Sequence, residues 1–440
     1  MQQAMPRPGV FAPSGPLRGL GRVPGDKSIS HRALILSALA RGRSDISGLS
    51  EGGDVLSTAA ALRSLGARIQ RTGDAWTVHG VGTGALLQPR QAVDMGNSGT
   101  SARLLMGLLA THPLTATFTG DASLSRRPMK RVIAPLSRLG ASFTAAPGGR
   151  LPLTLHGYHP AAPLFQRMEV ASAQVKSALL LAALNTPGVT RILEPVPTRD
   201  HSERMLLAAG ADLTVEETGE GRLLSLRGEA ELTPQRITVP CDPSQAAFLL
   251  VAALVVPGSE VRVEGVGINA TRAGLFEVLR EMGADLTVSN SREEGGEPVA
   301  DLTARHSALR AVNVPPELAP AMIDEFPIFY IAAAFAHGTS RTSGLSELRV
   351  KESDRLAAMA AGLAAIGVSA VESPDGLAVT GTGSDPLPGG GAIDPRLDHR
   401  IAMSFAVAGL HAKAAIEVRD MTCVDTSFPD FEAQLESLSS

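Results

Sequence analysis

The chain has little cysteine, little lysine and no long uninterrupted apolar run, and each shortage excludes a class of protein. Two cysteines, Cys241 and Cys423, cannot form a disulfide framework or a cysteine-based metal cluster, which fits a reducing cytoplasm. The apolar runs are shorter than the roughly 20 residues that cross a bilayer, so we expect no membrane partner. The net charge of −4 gives no electrostatic argument for binding nucleic acid.

The scarcity of lysine singles out two positions. Only five of the 40 basic residues are lysine, and two of these five, Lys27 and Lys351, lie in the most polar motifs of the chain. Lysine can release a proton and acts as a compact point charge, whereas arginine stays protonated and spreads its charge over a planar group. We therefore interpret Lys27 and Lys351 as positions where an ammonium group is required.

The segment PGDKSISHRALILSALA, residues 24–40, predicts a buried helix with a polar start. Asp26 or Ser28 can cap the helix, and the run that follows is apolar on nearly every face. Lys27 and Arg32 add positive charge in the first turn, where the helix N–H groups already favour anions. The segment predicts a phosphate or carboxylate site; the alternative is a solvated basic cap.

Similar apolar runs occur six times along the chain. They begin at residues 31, 101, 174, 245, 328 and 399, so one repeat spans about 70 residues. Glycines follow a second helix in the first five repeats, as expected just beyond a helix end. A polar insertion, SREEGGEPVADL, lengthens the fourth repeat and predicts a hairpin tip. Each repeat predicts a buried helix, a strand, an amphipathic helix and two further strands.

A length of 440 residues predicts two domains, each of three repeats. Because the first helix of each repeat is more apolar than its strands, we predict an α/β fold in which helices form the core and sheets cover them. The alternative is a doubly wound fold with its helices outside. The Pro-rich N-terminus has no signal-peptide core and predicts a flexible arm over residues 1–15.

Polar residues gather at the starts of the buried helices, in DKSISHR, GNSGTSAR, ASAQVK, CDPSQ, MIDEF and DHR. If the helices of one domain are parallel, these starts converge on one face and supply many N–H donors and positive charge. We expect two such faces to form a cleft for a small, multiply anionic substrate.

Three motifs supply candidate chemistry. In ELRVKESDR, residues 347–355, we predict that Lys351 and Arg355 share a helical face with Glu352 beside them. A Lys–Glu pair in a shielded cleft suits proton transfer, and exposed surface ion pairs are the alternative. Asp324 is either a helix cap or a functional carboxylate. The basic stretch SLSRRPMKR, residues 123–131, is either a ligand site or a solvated face.

Seven motifs occur in this order along the chain: PGDKSISHRALIL, GNSGTSARLLMG, SRRPM, SAQVKSALLLA, ELRVKESDRL, LDHRIAMSFA and DTSFPDF. Together they resemble the 5-enolpyruvylshikimate-3-phosphate synthase family. The resemblance covers Pro16 to the C-terminus. It implies two inside-out α/β domains, each of three βαβαββ repeats, formed by residues 25–240 and by residues 16–24 plus 241–440.

The resemblance also implies a reaction. The carboxyvinyl (enolpyruvyl) group of phosphoenolpyruvate is transferred to the 5-hydroxyl of shikimate 3-phosphate through a tetrahedral intermediate, and phosphate is released. The reaction belongs to the shikimate pathway to aromatic amino acids. No metal and no organic cofactor is implied.

Matched positions imply the site residues. Asp324 would accept the 5-hydroxyl proton, Glu352 would protonate the vinyl methylene, and Lys27 would help to move protons. The residues implied to bind shikimate 3-phosphate are Lys27, Ser28, Arg32, Ser172, Ala173, Gln174, Arg199, Asp324 and Lys351. Those implied to bind phosphoenolpyruvate are Lys27, Gly99, Arg127, Gln174, Arg355 and Arg400.

The sequence departs from some family members at Ser123, Leu104 and Thr426, and in this it resembles the second sequence class of the family. This departure leaves open whether Arg126 or Arg127 makes the main phosphate contact. A glycine at position 99 lacks the methyl group that excludes glyphosate in tolerant members, so we expect glyphosate to compete with phosphoenolpyruvate. We expect a monomer.

Two other functions stay open at this point. The UDP-N-acetylglucosamine enolpyruvyl transferase resembles this chain in fold and chemistry, but it has a reactive cysteine on a mobile loop of its first domain, and neither Cys241 nor Cys423 has such a place. A non-catalytic, anion-binding repeat protein predicts no turnover and has no use for the Lys351–Glu352 pair.

Overall fold

The computed structural model describes residues 6–439, which form two compact units. The first unit consists of Gly25–Val239 together with Glu294–Gly296. The second unit consists of residues 6–24, 240–293 and 297–439. Across the described residues, no helix has the length and apolar character needed to span a membrane.

Helices make up the interior of both units. Within residues 6–439 they are α1 (Lys27–Leu39), α2 (Gly53–Ser64), α3 (Gly99–Leu109), α4 (Ala122–Arg126), α5 (Lys130–Ser137), α6 (Ala173–Leu184), α7 (His201–Ala208), α8 (Pro243–Val255), α9 (Gly274–Glu281), α10 (Ala319–Met322), α11 (Phe326–Ala334), α12 (Arg355–Ala365), α13 (His399–Gly409) and α14 (Phe431–Leu438). Short 3-10 turns lie at Pro316–Leu318, Ser346–Val350 and Thr422–Thr426.

Strands cover the helices. They are β1 (Gly9–Phe11), β2 (Arg18–Gly21), β3 (Arg41–Ser47), β4 (Arg68–Thr72), β5 (Ala75–Val81), β6 (Val93–Asp94), β7 (Thr115–Thr119), β8 (Ser142–Ala146), β9 (Arg150–His156), β10 (Phe165–Arg167), β11 (Val189–Glu194), β12 (Asp212–Thr218), β13 (Gly221–Arg227), β14 (Arg236–Thr238), β15 (Glu260–Gly267), β16 (Asp285–Glu294), β17 (Glu297–Arg305), β18 (Thr339–Arg341), β19 (Ser369–Ser373), β20 (Gly376–Thr380), β21 (Leu387–Gly389), β22 (Ala392–Ile393), β23 (Ala412–Ala414) and β24 (Ile416–Val418).

The six apolar runs form the buried helices α1, α3 and α6 in the first unit and α8, α11 and α13 in the second. Every residue of α8, α11 and α13 is buried. Such helices are apolar all round because they contact other elements on every side. Strands such as β9 instead alternate buried and exposed residues, so only one face packs inward. The prediction of buried helices under covering sheets is confirmed, and the doubly wound alternative is wrong.

The three sheets of the first unit link its repeats in a ring. Their strand orders are β14-β3-β5-β4, β6-β7-β9-β8 and β10-β11-β13-β12. In each sheet the last strand of one repeat pairs in parallel with the first strand of another, as β6 with β7, β10 with β11 and β14 with β3. The third repeat thereby returns to the first, and the starts of α1, α3 and α6 come together inside the ring.

The second unit uses the N-terminal strands to complete its sheets. The strand β2 pairs in parallel with β15 in the sheet β16-β17-β15-β2, and β1 pairs antiparallel with β24. Arg7 lies 3.1 Å from carboxylate oxygens of both Asp425 and Glu432. The flexible arm predicted for residues 1–15 is therefore wrong for the strand at 9–11, whose backbone is paired along its length. Residues 1–5 lie outside the described residues.

Glycine conformation explains where the second helix of a repeat stops. The five glycines predicted to follow helix ends all have positive φ, namely Gly66, Gly140, Gly210, Gly283 and Gly367. Glycine adopts positive φ readily because glycine lacks a Cβ atom. This backbone conformation lets the chain reverse at the helix end and enter the next strand. The predicted hairpin tip also forms, with Gly295 and Gly296 at positive φ between β16 and β17.

Candidate functional site

The start of α1 carries the first candidate group. The Asp26 side chain caps the helix by accepting a hydrogen bond from the backbone N–H of Ile29 at 2.8 Å. Lys27 is the first helical residue, and its Nζ forms an ion pair with Asp54 of α2. Because the Asp54 side chain is only 6% exposed, this pair fixes the position of the ammonium group. Asp54 was not among the predicted site residues.

Arg32 connects three helices rather than projecting freely from one. Its Nε donates to Ser202 Oγ of α7, and its Nη2 donates to Ser177 Oγ of α6, both at 2.7 Å. Its Nη1 donates to the carbonyl oxygen of Ser28 at 2.8 Å. The guanidinium group is buried and holds the starts of α1, α6 and α7 together.

The starts of α3 and α6 are also joined. Arg103 Nη1 donates to Gln174 Oε1 at 2.7 Å, and Gln174 Nε2 donates to Thr100 Oγ1 at 2.9 Å. Ser98 caps α3 and Ser172 caps α6 through their side-chain oxygens. The predicted convergence of helix starts is therefore present in this unit, where it brings together N–H groups and arginine side chains.

The basic stretch before α5 divides into one buried and one exposed arginine. Arg127 is buried, and its Nη2 donates to Asn97 Oδ1 at 2.7 Å and to Ser123 Oγ at 3.1 Å. A Cβ atom added at Gly99 would lie 3.1 Å from Arg127 Nη1. Arg126 is exposed. Arg127, and not Arg126, is thus the residue that the fold holds beside the glycine loop.

A neutral histidine lies beneath this group of cations. His31 Nδ1 is 2.7 Å from Thr58 Oγ1, and Thr58 Oγ1 is 2.5 Å from Ser101 Oγ. Burial, with the nearby positive charge of Lys27, lowers the pKa of His31 well below its usual value. His31 therefore adds no positive charge to the core at neutral pH.

In the second unit, Asp324 is surrounded by cations. Its Oδ1 lies 3.2 Å from Arg355 Nη1 and 3.7 Å from Lys351 Nζ, and its Oδ2 lies 4.0 Å from Arg272 Nη1. Arg400 Nη1 donates to the Asp324 carbonyl oxygen at 3.1 Å. The side chain of Asp324 is 15% exposed, so the carboxylate remains accessible while its neighbours hold it. Asp324 does not cap α11, since the N-cap residue is Glu325 and makes no side-chain cap.

The segment before α12 differs from the prediction. Lys351 and Arg355 do not share a helical face, because Lys351 follows the 3-10 turn and α12 begins only at Arg355. Asp354 caps α12 through its side chain, which sets the helix start after the lysine. Lys351 and Arg355 nevertheless meet at Asp324, and Arg355 Nη2 donates to Glu352 Oε2 at 2.6 Å.

Burial lowers the pKa of the Lys351 ammonium group, against the opposing effect of Asp324. The side chain is 22% exposed and lies beside a carboxylate. Unlike arginine, a lysine whose pKa is lowered can release its proton.

Two further predicted residues belong to the first unit. Ala173 is the first residue of α6, and Arg199 is half-buried in the segment between β11 and α7. Three charged residues that hold the site were not predicted, and all act across long sequence separations: Asp54, Arg272 and Asp398. Asp398 stands in the quoted motif LDHRIAMSFA, and its place before a buried helix was the available signal.

Metal ligation has no candidate group in the part of the chain that the structure describes: no set of three or more His, Cys, Asp or Glu side chains is placed to hold an ion. Cys241 and Cys423 are both free thiols.

The chain matches known proteins over nearly its whole length. The family model described as EPSP synthase (3-phosphoshikimate 1-carboxyvinyltransferase) matches residues 11–435. The 3-phosphoshikimate 1-carboxyvinyltransferase of Novosphingobium aromaticivorans is 61% identical over 436 residues, covering 98% of this chain and 99% of the relative. That of Sphingopyxis alaskensis is 62% identical over 443 residues, covering 99% of each.

Solved structures of related enzymes also match this chain over nearly its whole length. The EPSP synthase of Acinetobacter baumannii superposes with a TM-score of 0.85 at 43% identity, covering 98% of this chain and 97% of that one. The enolpyruvyl transferase NikO of Streptomyces tendae, at 19% identity and a TM-score of 0.77 over 98% of each chain, shares the fold. These matches do not favour the UDP-N-acetylglucosamine enzyme or a non-catalytic repeat protein. The chain belongs to the EPSP synthase family, the transferases that join the enolpyruvyl group to shikimate 3-phosphate in the shikimate pathway.

Proposed function

We propose that this transferase uses Lys27, Asp324 and Glu352 to carry the proton transfers of its reaction. The substrates are phosphoenolpyruvate and shikimate 3-phosphate, and phosphate is released. The single observation that carries the proposal is that Lys351 and Arg355 both lie beside Asp324, while Arg355 also holds Glu352, so that two carboxylates and two cations form one group.

Shikimate 3-phosphate takes its contacts chiefly from the first unit. Helix starts favour phosphate because their N–H groups are unpaired within the helix and the dipole is positive there. Three such starts converge, with Arg32 and Gln174 between them. The residues proposed to bind this substrate are Lys27, Ser28, Arg32, Ser172, Ala173, Gln174, Arg199, Asp324 and Lys351.

The contacts proposed for phosphoenolpyruvate come chiefly from three arginines. Arg127 lies beside Gly99 in the first unit, and Arg355 and Arg400 lie beside Asp324 in the second. Arginine suits this substrate because its planar group can bind a phosphate or carboxylate through two parallel hydrogen bonds. Lys27 and Gln174 complete the proposed set.

The proton steps balance through two carboxyl groups. Asp324 takes the proton from the 5-hydroxyl as that oxygen attacks C2 of phosphoenolpyruvate, and protonated Glu352 gives its proton to C3. The tetrahedral intermediate then loses a proton from C3 to Glu352, the C2–O bond to phosphate breaks, and the enol ether double bond forms. The leaving phosphate takes up the proton that Asp324 accepted, with Lys27 helping to move it, so both carboxyl groups return to their starting states. Lys351 supports the charge that develops on both substrates.

Glyphosate is proposed to compete with phosphoenolpyruvate, because Gly99 leaves the space that a methyl group would occupy. The enzyme is also proposed to act as a monomer in the cytoplasm, where its two cysteines stay reduced.

The test is phosphate release from phosphoenolpyruvate with shikimate 3-phosphate or UDP-N-acetylglucosamine as acceptor. We expect turnover with the first acceptor only, and a loss of roughly 100-fold or more for Glu352→Gln, since the amide cannot donate the acid proton. Glu372→Gln, which changes an exposed glutamate paired with Arg349, is the matched control. Full activity of Glu352→Gln would remove Glu352 from the proton transfer.

A further inference from the structure

Behind the proposed phosphate site, the first unit buries a lysine with two glutamates. The Nζ of Lys176 lies 3.0 Å from Glu194 Oε2 and 2.7 Å from Glu203 Oε1. The three side chains are 0%, 1% and 4% exposed. They come from α6, β11 and α7, so the group joins three elements of the third repeat.

The same group fixes the backbone of Thr198 at both of its polar atoms. Glu194 Oε1 accepts a hydrogen bond from the Thr198 N–H at 3.0 Å and another from the Thr198 hydroxyl. Lys176 Nζ donates to the Thr198 carbonyl oxygen at 3.4 Å. That carbonyl belongs to the peptide bond that joins Thr198 to Arg199. The buried group therefore fixes the backbone that leads into Arg199.

A gain in folding stability does not by itself explain why the protein buries this lysine with two glutamates. Two carboxylates share one ammonium, and burial raises the pKa of Glu194 against the opposing charge of Lys176. Apolar residues of similar volume commonly stabilise a core at least as well as a buried ion pair does. A buried ionic network does, however, impose one geometry on the elements that it joins.

We infer that Lys176 and Glu194 are positioning residues for Arg199, and through it for the phosphate of shikimate 3-phosphate. The inference rests on the proposed function, which places Arg199 at that substrate. Lys176 lies one turn into α6, so the same contacts tie Arg199 to the helix start that carries Ser172 and Gln174. The cluster aligns these two parts of the subsite.

Two variants test this role without emptying the core. Thr198→Val removes the hydroxyl donor and keeps the side-chain shape, while Glu194→Gln keeps an acceptor and removes the charge. We expect each to raise KM for shikimate 3-phosphate about tenfold, with kcat and KM for phosphoenolpyruvate within about twofold of wild type. Glu220→Gln, which breaks the exposed pair with Arg167, is the matched control and should change none of these.

A double-mutant cycle separates positioning from general structure. Because Glu194 acts through Arg199, Glu194→Gln should have little further effect on KM in an Arg199→Ala background. Equal effects in both backgrounds, or a fall in kcat with KM unchanged, would overturn the inference. If Arg199→Ala alone leaves KM for shikimate 3-phosphate unchanged, the proposed role of Arg199 fails instead. If Arg199→Ala raises KM and the two variants do not, only the positioning role fails.

Discussion

Arg355 and Asp398 form an ion pair buried in the second unit: Arg355 Nε lies 2.9 Å from Asp398 Oδ2, and the side chains are 1% and 0% exposed. Asp398 also caps α13 by accepting from the Arg400 N–H at 3.0 Å. One carboxylate therefore holds the Arg355 guanidinium group and the backbone of Arg400, and we propose that both arginines bind phosphoenolpyruvate. Because both contact Asp398, the Arg355 side chain and the start of α13 are held in a fixed position relative to each other.

Replacing Asp398 by asparagine tests this arrangement. Asp398→Asn retains the cap acceptor and the side-chain shape but leaves the buried Arg355 with fewer negative partners. We expect the free energy of unfolding to fall by about 3 kcal/mol, the lower end for a broken buried pair, because Glu352 and Asp324 still contact the guanidinium. Denaturant titration gives the stability, and steady-state kinetics should show a higher KM for phosphoenolpyruvate.

The control for Asp398→Asn is Glu231→Gln, which breaks the exposed pair with Arg41 and should leave both measurements unchanged. An Asp398→Asn protein of wild-type stability and KM would mean that the buried pair is not needed to hold Arg355.

The sequence predicts the helices of this protein better than it predicts the ion pairs between them. The six buried helices and their polar starts were predictable because the apolar repeat and the adjacent motifs are local patterns. Lys351 and Arg355 were expected to meet as helix neighbours, but they meet through Asp324, which is 27 and 31 positions away from them. The partner of Arg355, Asp398, lies 43 positions away. Such pairs depend on which helix starts the sheets bring together, and a single sequence contains no spacing that records this.

Gly99→Ala should separate glyphosate binding from substrate binding. The added Cβ would lie 2.7 Å from Arg103 Nη1 and 3.1 Å from Arg127 Nη1, which are the ends of flexible side chains and can shift. We expect the variant to fold, to lose glyphosate affinity by roughly tenfold or more, and to lose less affinity for phosphoenolpyruvate. Inhibition curves at several phosphoenolpyruvate concentrations measure both effects.

The matched control for Gly99→Ala is Gly219→Ala, whose added Cβ has no atom within 4 Å. It should leave inhibition unchanged. Equal losses of inhibitor and substrate affinity in Gly99→Ala would contradict a selective effect of the methyl group.

His31 should make the protein sensitive to acid. Its pKa is lowered in the folded state by burial and by Lys27, so below the usual value of 6.5 the unfolded chain takes up a proton that the folded protein does not. The free energy of unfolding therefore falls as pH drops below 6.5, by up to about 1.4 kcal/mol per pH unit, and is independent of this group above it. Urea titrations at a series of pH values should show a shallower fall in His31→Gln. Equal slopes would mean that His31 is protonated in the folded protein.

Lys351 should determine how activity falls at alkaline pH. Burial lowers the pKa of this ammonium group, so it loses its charge below the usual 10.5 as pH rises. Because we propose that the cationic form supports both anionic substrates, kcat/KM should decrease as pH rises through that lowered pKa. Lys351→Arg keeps the charge at every pH but changes its shape and reach. We therefore expect kcat/KM to fall roughly 100-fold at neutral pH and the alkaline decrease to disappear.

The control is Lys413→Arg, on the exposed strand β23, which should retain the wild-type pH profile. If Lys351→Arg shows the wild-type alkaline decrease, the group that titrates there is not Lys351, and its ammonium acts only as a fixed charge.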